Sequence, residues 1–101
     1  MFKRNYLNLI GLAYRARQCS AGEDTIIKDI RKRRVKLLIL ASDAGPQTKK
    51  KLTDKCKTYE VPYIIINEDK EALGNAIGKL QRVAIAILDE GFAAKIKSLF
   101  D

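Results

Sequence analysis

A chain of 101 residues, 47% of them hydrophobic and 32% charged, folds as one domain spanning residues 1–101 and buries roughly 60–70% of its unfolded surface without a metal or disulfide staple. With no histidine, neither a His-containing zinc site nor a Cys–His nucleophile can be built, and Cys19 and Cys56 read as ordinary reduced thiols. The formal net charge of +8 is uneven: residues 1–58 hold 15 Lys and Arg against 5 Asp and Glu, whereas residues 59–101 hold 5 against 7.

That asymmetry points to a polyanionic partner, since a merely soluble surface has no need to concentrate its excess charge in one half. A membrane surface would demand basic residues opposite a spare apolar face, and here the apolar faces are needed for a core. The longest apolar run, Val83 to Leu88, is too short to span a bilayer, and the N-terminal stretch has no uninterrupted apolar segment of the kind that directs secretion. A cytoplasmic location is the expectation, with no membrane partner.

Phe2, Tyr6, Leu9, Ile10 and Ala13 recur at helical spacing, predicting a first helix to about Arg17 with Leu7, Leu12 and Tyr14 widening its buried side. Ser20 and Glu23 have capping-box spacing and open a second helix that ends near Arg33. Ile26, Ile27 and Ile30 form its inner face; Lys28, Arg31, Lys32 and Arg34 form the other. Val35 to Ala41 is an aliphatic run typical of a strand covered on both faces. Pro46 starts a third helix with Leu52, Cys56 and Tyr59 inside and Lys49, Lys50, Lys51, Lys55 and Lys57 outside. Val61 to Ile66 reads as a second buried strand, Asp69 caps a short helix closed by Gly78, Val83 to Leu88 is a third core strand, and Gly91 precedes a last helix with Phe92, Ile96, Leu99 and Phe100 inside. Alternating helices and strands predict an α/β domain with helices on both faces of a small, mostly parallel sheet.

No catalytic constellation is present. Ser20, Ser42 and Ser98 lack a histidine to activate them, and no nucleophile elbow or Walker-type loop occurs. The pairs Glu68-Asp69 and Asp89-Glu90 stand just before predicted helices, where carboxylates serve as caps. An enzyme is not expected, and no cofactor or metal is implied. What remains is Gly22 ahead of a basic helix. A lone glycine is an ordinary turn residue and a lone charge cluster an ordinary solvated face. Together they supply a closely approachable backbone, fixed N–H donors and a row of cations, the parts that hold phosphates and guanine edges.

Several blocks carry a family resemblance: Gly22-Glu23-Asp24-Thr25-Ile26-Ile27-Lys28, residues 32–37, Ile39 to Pro46, Cys56, Val61-Pro62-Tyr63 and Leu73-Gly74-Asn75-Ala76-Ile77-Gly78. In this order and spacing, the chain resembles the archaeal ribosomal protein L7Ae family from about Asn5 to Leu99, and its short basic form resembles the bacterial YlxQ-like branch. The resemblance implies a three-layer α-β-α sandwich around a small mixed, mostly parallel four-stranded sheet. It also implies recognition of kink-turn or related RNA through the glycine turn, the start of the second helix and the loop before the last strand. The family turn usually reads Gly-x-Asn-Glu-x-x-Lys, addressing the guanines of tandem sheared G·A pairs. Gly22 and Lys28 match it, while Asp24 and Thr25 replace the Asn and Glu, and Arg33 stands where the family has a glycine after the basic helix.

The reading is therefore a non-enzymatic, cofactor-free binder of structured RNA, associated with the ribosome and monomeric. Lys28, Arg31, Lys32, Arg34 and Lys36 are assigned to the phosphate-attracting face, Gly22 and Glu23 to the turn, Asp24 and Thr25 to base contacts, and Lys79, Leu80, Gln81 and Arg82 to the closing loop. The alternative is a protein-interaction module that docks onto the translation or transcription machinery and has lost kink-turn specificity.

Overall fold

The computed structural model describes residues 5–100; Phe2 of the expected first helix lies outside them. Five helices and four strands follow one another as α1 (Asn5–Arg15), β1 (Cys19–Ala21), α2 (Glu23–Arg31), β2 (Leu37–Leu40), α3 (Pro46–Tyr59), β3 (Tyr63–Ile65), α4 (Lys70–Ala76), β4 (Ala84–Ile87) and α5 (Glu90–Ser98). The strands form one mixed sheet in the order β1-β4-β2-β3.

Strand alternation divides the core into two layers. Leu37, Ile39, Ile85 and Ile87 point to one face, where they meet Tyr6, Ile10 and Ala13 of α1, Leu73 of α4 with Ile77 just beyond its end, and Ala93 and Ile96 of α5. Leu38, Leu40, Ala84 and Ala86 point to the other, under Ile26, Ile27 and Ile30 of α2 and Leu52 and Cys56 of α3. Each large side chain buried this way contributes roughly 1.5–3 kcal/mol. The small alanines of β4 on the second face leave room for α2 to lie close over the sheet. The α/β sandwich with a four-stranded mixed sheet is as expected.

Several local expectations are corrected. The sheet is not mostly parallel: only β2–β3 pairs in parallel, whereas β1–β4 and β2–β4 are antiparallel. Alternation of helices and strands hid this, because β1 is a three-residue strand lodged in what reads as a turn. Ser20 accordingly pairs with Ala86 inside β1 and does not cap α2; its hydroxyl oxygen is buried with no partner among the described residues, and Gly22 holds the N-cap position. Within Val61–Ile66 only Tyr63–Ile65 forms a strand, and it is an edge strand with Ile65 43% exposed, although Val61 and Ile66 at its two sides are buried. Helix α1 stops at Arg15, with Leu12 on its outer side, and Leu99 and Phe100 are exposed beyond α5, although the Phe100 ring packs 4.8 Å from that of Tyr6. Helix α5 begins at Glu90, so Gly91 lies within it.

The carboxylate caps are present for Asp69 and Asp89. The Ala72 N–H donates to Asp69 at 2.9 Å and the Phe92 N–H to Asp89 at 2.9 Å. Cys19 and Cys56 sit against opposite faces of the sheet, so a disulfide between them is ruled out.

Candidate nucleic-acid interface

Strand pairing determines which loops meet. Leu40 at the end of β2 pairs with Ala84 at the start of β4, and Ala21 at the end of β1 pairs with the adjacent Ile85. The Gly22 turn and the loop before β4 therefore emerge side by side at one end of the sheet. Between them lies a cleft of about 370 Å³, lined by Ala21, Gly22, Glu23, Leu52, Lys70, Gln81, Arg82, Val83 and Ala84.

Gly22 has φ 102° and ψ 128°, a conformation that side-chain-bearing residues rarely adopt, and it turns the chain from β1 directly into α2. An added Cβ there would meet nothing in the protein, so the backbone is open to close approach from outside. Among the described residues no side chain caps α2, which leaves the N–H groups of its first turn available beside the cleft. Glu23 is turned away toward α3: its carboxylate accepts from Lys51 Nζ at 2.8 Å and from Thr48 Oγ1 at 3.4 Å. The hydrogen bond from Lys51 holds the Glu23 carboxyl below its usual range, and the same bond raises the Lys51 ammonium.

The opposite wall is braced by α4. Lys79 donates its N–H to the Gly74 carbonyl at 2.9 Å, and Arg82 donates its N–H to the Lys70 carbonyl at 2.9 Å. Gly74 is required for this contact, because a Cβ on it would overlap the Leu80 carbonyl oxygen. Leu80 itself projects almost fully into solvent, 86% exposed. The Lys70 N–H donates to Asp43 at 2.8 Å, tying the start of α4 to the loop after β2.

Of the expected site residues, Gly22, Glu23, Gln81 and Arg82 share the cleft, and Lys79 and Leu80 belong to its closing loop. Asp24, Thr25 and Lys28 are exposed on the first turns of α2, with Arg31 and Lys32 one turn further on. Arg34 and Lys36 are not brought to this end. Arg34 lies past the C-terminus of α2 and sits 3.7 Å from the buried Asp29 carboxylate. Lys36 donates its N–H to Ile87 at the far end of the sheet and sits beside Glu90, Ala93, Ala94 and Lys97. Sequence reading missed Lys70 on the cleft wall and the Lys51–Glu23 pair. A single lysine after a helix cap carries no local signal, and a partnership 28 residues apart is made only by the packing of α2 on α3.

Residues 4–97 match the model of the ribosomal protein L7Ae/L30e/S12e/Gadd45 family. The chain belongs to that family. It is 52% identical over 93 residues to the RNA-binding protein YlxQ of Bacillus subtilis, covering 92% of each chain. It is also 29% identical over 86 residues to the large ribosomal subunit protein eL8 of Thermoplasma volcanium, covering 84% of this chain and 70% of that one. A solved structure from Bacillus halodurans C, of a protein with unknown function, superposes with a TM-score of 0.90 at 47% identity, covering 95% of this chain and 96% of that one. The blocks that carried the resemblance thus belong to a family-wide match, and the bacterial YlxQ-like branch is supported by two relatives of that name.

Proposed function

We propose that this protein binds structured RNA of the kink-turn type, without catalysis, at the end of the sheet where the Gly22 turn faces the 79–82 loop. The observation that carries the reading is that juxtaposition: an uncapped helix start and a glycine backbone on one wall, Gln81 and Arg82 on the other, with a cleft of about 370 Å³ between them. The RNA-binding name of the Bacillus subtilis relative supports the RNA class, and the eL8 relative supports ribosome association; a cytoplasmic location is part of the proposal. In this reading the α2 amides and Lys28 take backbone phosphates, Asp24 and Thr25 meet base edges, Leu80 supports an extruded base, and Lys79, Arg82 and Lys70 close the far side. Binding as a monomer is part of the proposal.

Titration of a kink-turn RNA at several salt concentrations tests it. Affinity is expected to fall steeply with salt, and Lys28→Ala to lower both the affinity and the slope, the latter by about 1. No binding at low salt overturns the reading. The replacement of Asn and Glu by Asp24 and Thr25 favours a second reading, a protein-interaction module of the translation or transcription machinery. Nuclease treatment during a pull-down separates the two, since a protein partner persists after RNA is removed.

A further inference from the structure

The lysine row of α3 is absorbed neither by the core nor by the cleft. Lys51, Lys55 and Tyr59 are four residues apart and so form one stripe on α3. Both ends of that stripe touch α2 or its C-terminal turn: Lys51 bonds Glu23, and the Arg33 guanidinium lies 5.5 Å from the Tyr59 ring centroid. Lys55, between them, therefore lies on the α2 side of α3.

The same two contacts give the direction of the helices. Glu23 begins α2 and meets the first half of α3, whereas Arg33 follows the end of α2 and meets the end of α3. The two helices run side by side in the same sense, both leading away from the cleft. On α2 the matching stripe is Glu23, Ile27 and Arg31, with Ile27 buried in the seam and Arg31 exposed. Arg31 and Lys55 thus flank the seam from opposite sides, about one to two helical turns from the cleft, and Lys28 stands on the turn before Arg31.

Among the described residues, none of Lys28, Arg31 and Lys55 has a carboxylate within ion-pair distance. Lys50, on the outer flank of α3, is by contrast paired with Asp54 at 2.9 Å. Arg31 and Lys55 flanking one seam, with Lys28 a turn away on α2, are uncompensated cations that repel one another and are relieved by an anion laid across them. A seam that starts at the cleft and continues along two helices presents a line of positive charge, which fits a continuous phosphate backbone.

We infer that the α2–α3 seam is a second RNA contact surface, with Arg31 and Lys55 holding the phosphates of a duplex arm that leaves the cleft along the two helices. This rests on the RNA reading above and adds the path of the flanking duplex. The test compares two RNAs with the same internal loop, one with a minimal stem and one with that stem extended by a helical turn, against the wild type, Lys55→Gln and Lys55→Glu. Lys55 is half-buried on α3 and outside the cleft lining, and thermal melting checks that both variants fold.

The wild type is expected to bind the long-stem RNA several-fold more tightly, with a salt slope steeper by about 1 to 2. Lys55→Gln should remove about one unit of that slope on the long RNA alone, and Lys55→Glu should abolish the advantage of the long stem. Equal affinity of the wild type for both RNAs, or the same loss on both RNAs in the variants, overturns the seam contact while leaving the cleft reading intact. Failure of the wild type to bind the short RNA overturns the cleft reading, and the seam with it.

Discussion

Arg33 occupies the left-handed region at φ 59°, at the position where the family resemblance implies a glycine. The residue after a helix end is often left-handed, and a side chain there costs about 1–2 kcal/mol relative to its usual conformations. Here the guanidinium lies over Tyr59 and recovers part of that cost. Arg33→Ala keeps the strained backbone and loses the stacking, whereas Arg33→Gly relieves the backbone. The glycine variant is therefore expected to be more stable than the alanine variant by about 1 kcal/mol, read from urea midpoints. Asp24 and Thr25 raise a question of recognition. An Asp carboxylate accepts but has no amide donor, and a threonine hydroxyl is shorter than a glutamate. Asp24→Asn combined with Thr25→Glu is expected to raise the preference for a kink-turn over the same RNA lacking its tandem G·A pairs, at about 1–3 kcal/mol per restored bidentate contact. Competition binding with the two RNAs measures it.

Helix α2 is held at both ends by α3, and the upper tie is titratable. The Lys51 hydrogen bond keeps the Glu23 carboxyl below its ordinary value of 4.5 in the folded chain. A carboxyl depressed on folding stabilises the fold above its unfolded pKa and loses that contribution as pH falls through the lower, folded value. Acid unfolding of Glu23→Gln should therefore depend less on pH than that of the wild type below about pH 4.5, as followed by circular dichroism. Helix α4 supports the other wall through Gly74. Gly74→Ala forces the Leu80 carbonyl away, and overpacking of this kind costs about 1–3 kcal/mol. The expected result is a lower melting temperature together with altered amide resonances for residues 79–82, beyond those next to the substitution.

The whole molecule places its two thiols under opposite faces of one sheet. Burial pushes the Cys56 thiol up to about 11 and the Cys19 thiol up to about 12, so neither is a ready nucleophile in the folded state. Cys56, fully buried on the inner face of α3, is expected to react with a thiol reagent at pH 8 only as fast as the domain opens, and labelling should follow global unfolding across a urea series. Above the ordinary thiol value of 9.0, ionisation in the unfolded chain draws the equilibrium toward unfolding, so stability is expected to decline as pH rises past that point.

Local chemistry determined much of this protein. Apolar spacing in Tyr6, Ile10 and Ala13, the aliphatic runs of β2 and β4, Pro46 and the Asp69 and Asp89 caps act within a few residues and were legible without coordinates. So was the candidate turn at Gly22, because the glycine and the basic helix it opens are adjacent in sequence. Only the tertiary structure decided that β4 runs antiparallel between β1 and β2, which brings the 79–82 loop against Gly22 and sends Lys36 to the far end of the sheet. Periodicity reports which face of an element is buried, but it carries no record of strand order or of the partner chosen across tens of residues. Strand order and partner depend on how all the apolar faces pack together at once.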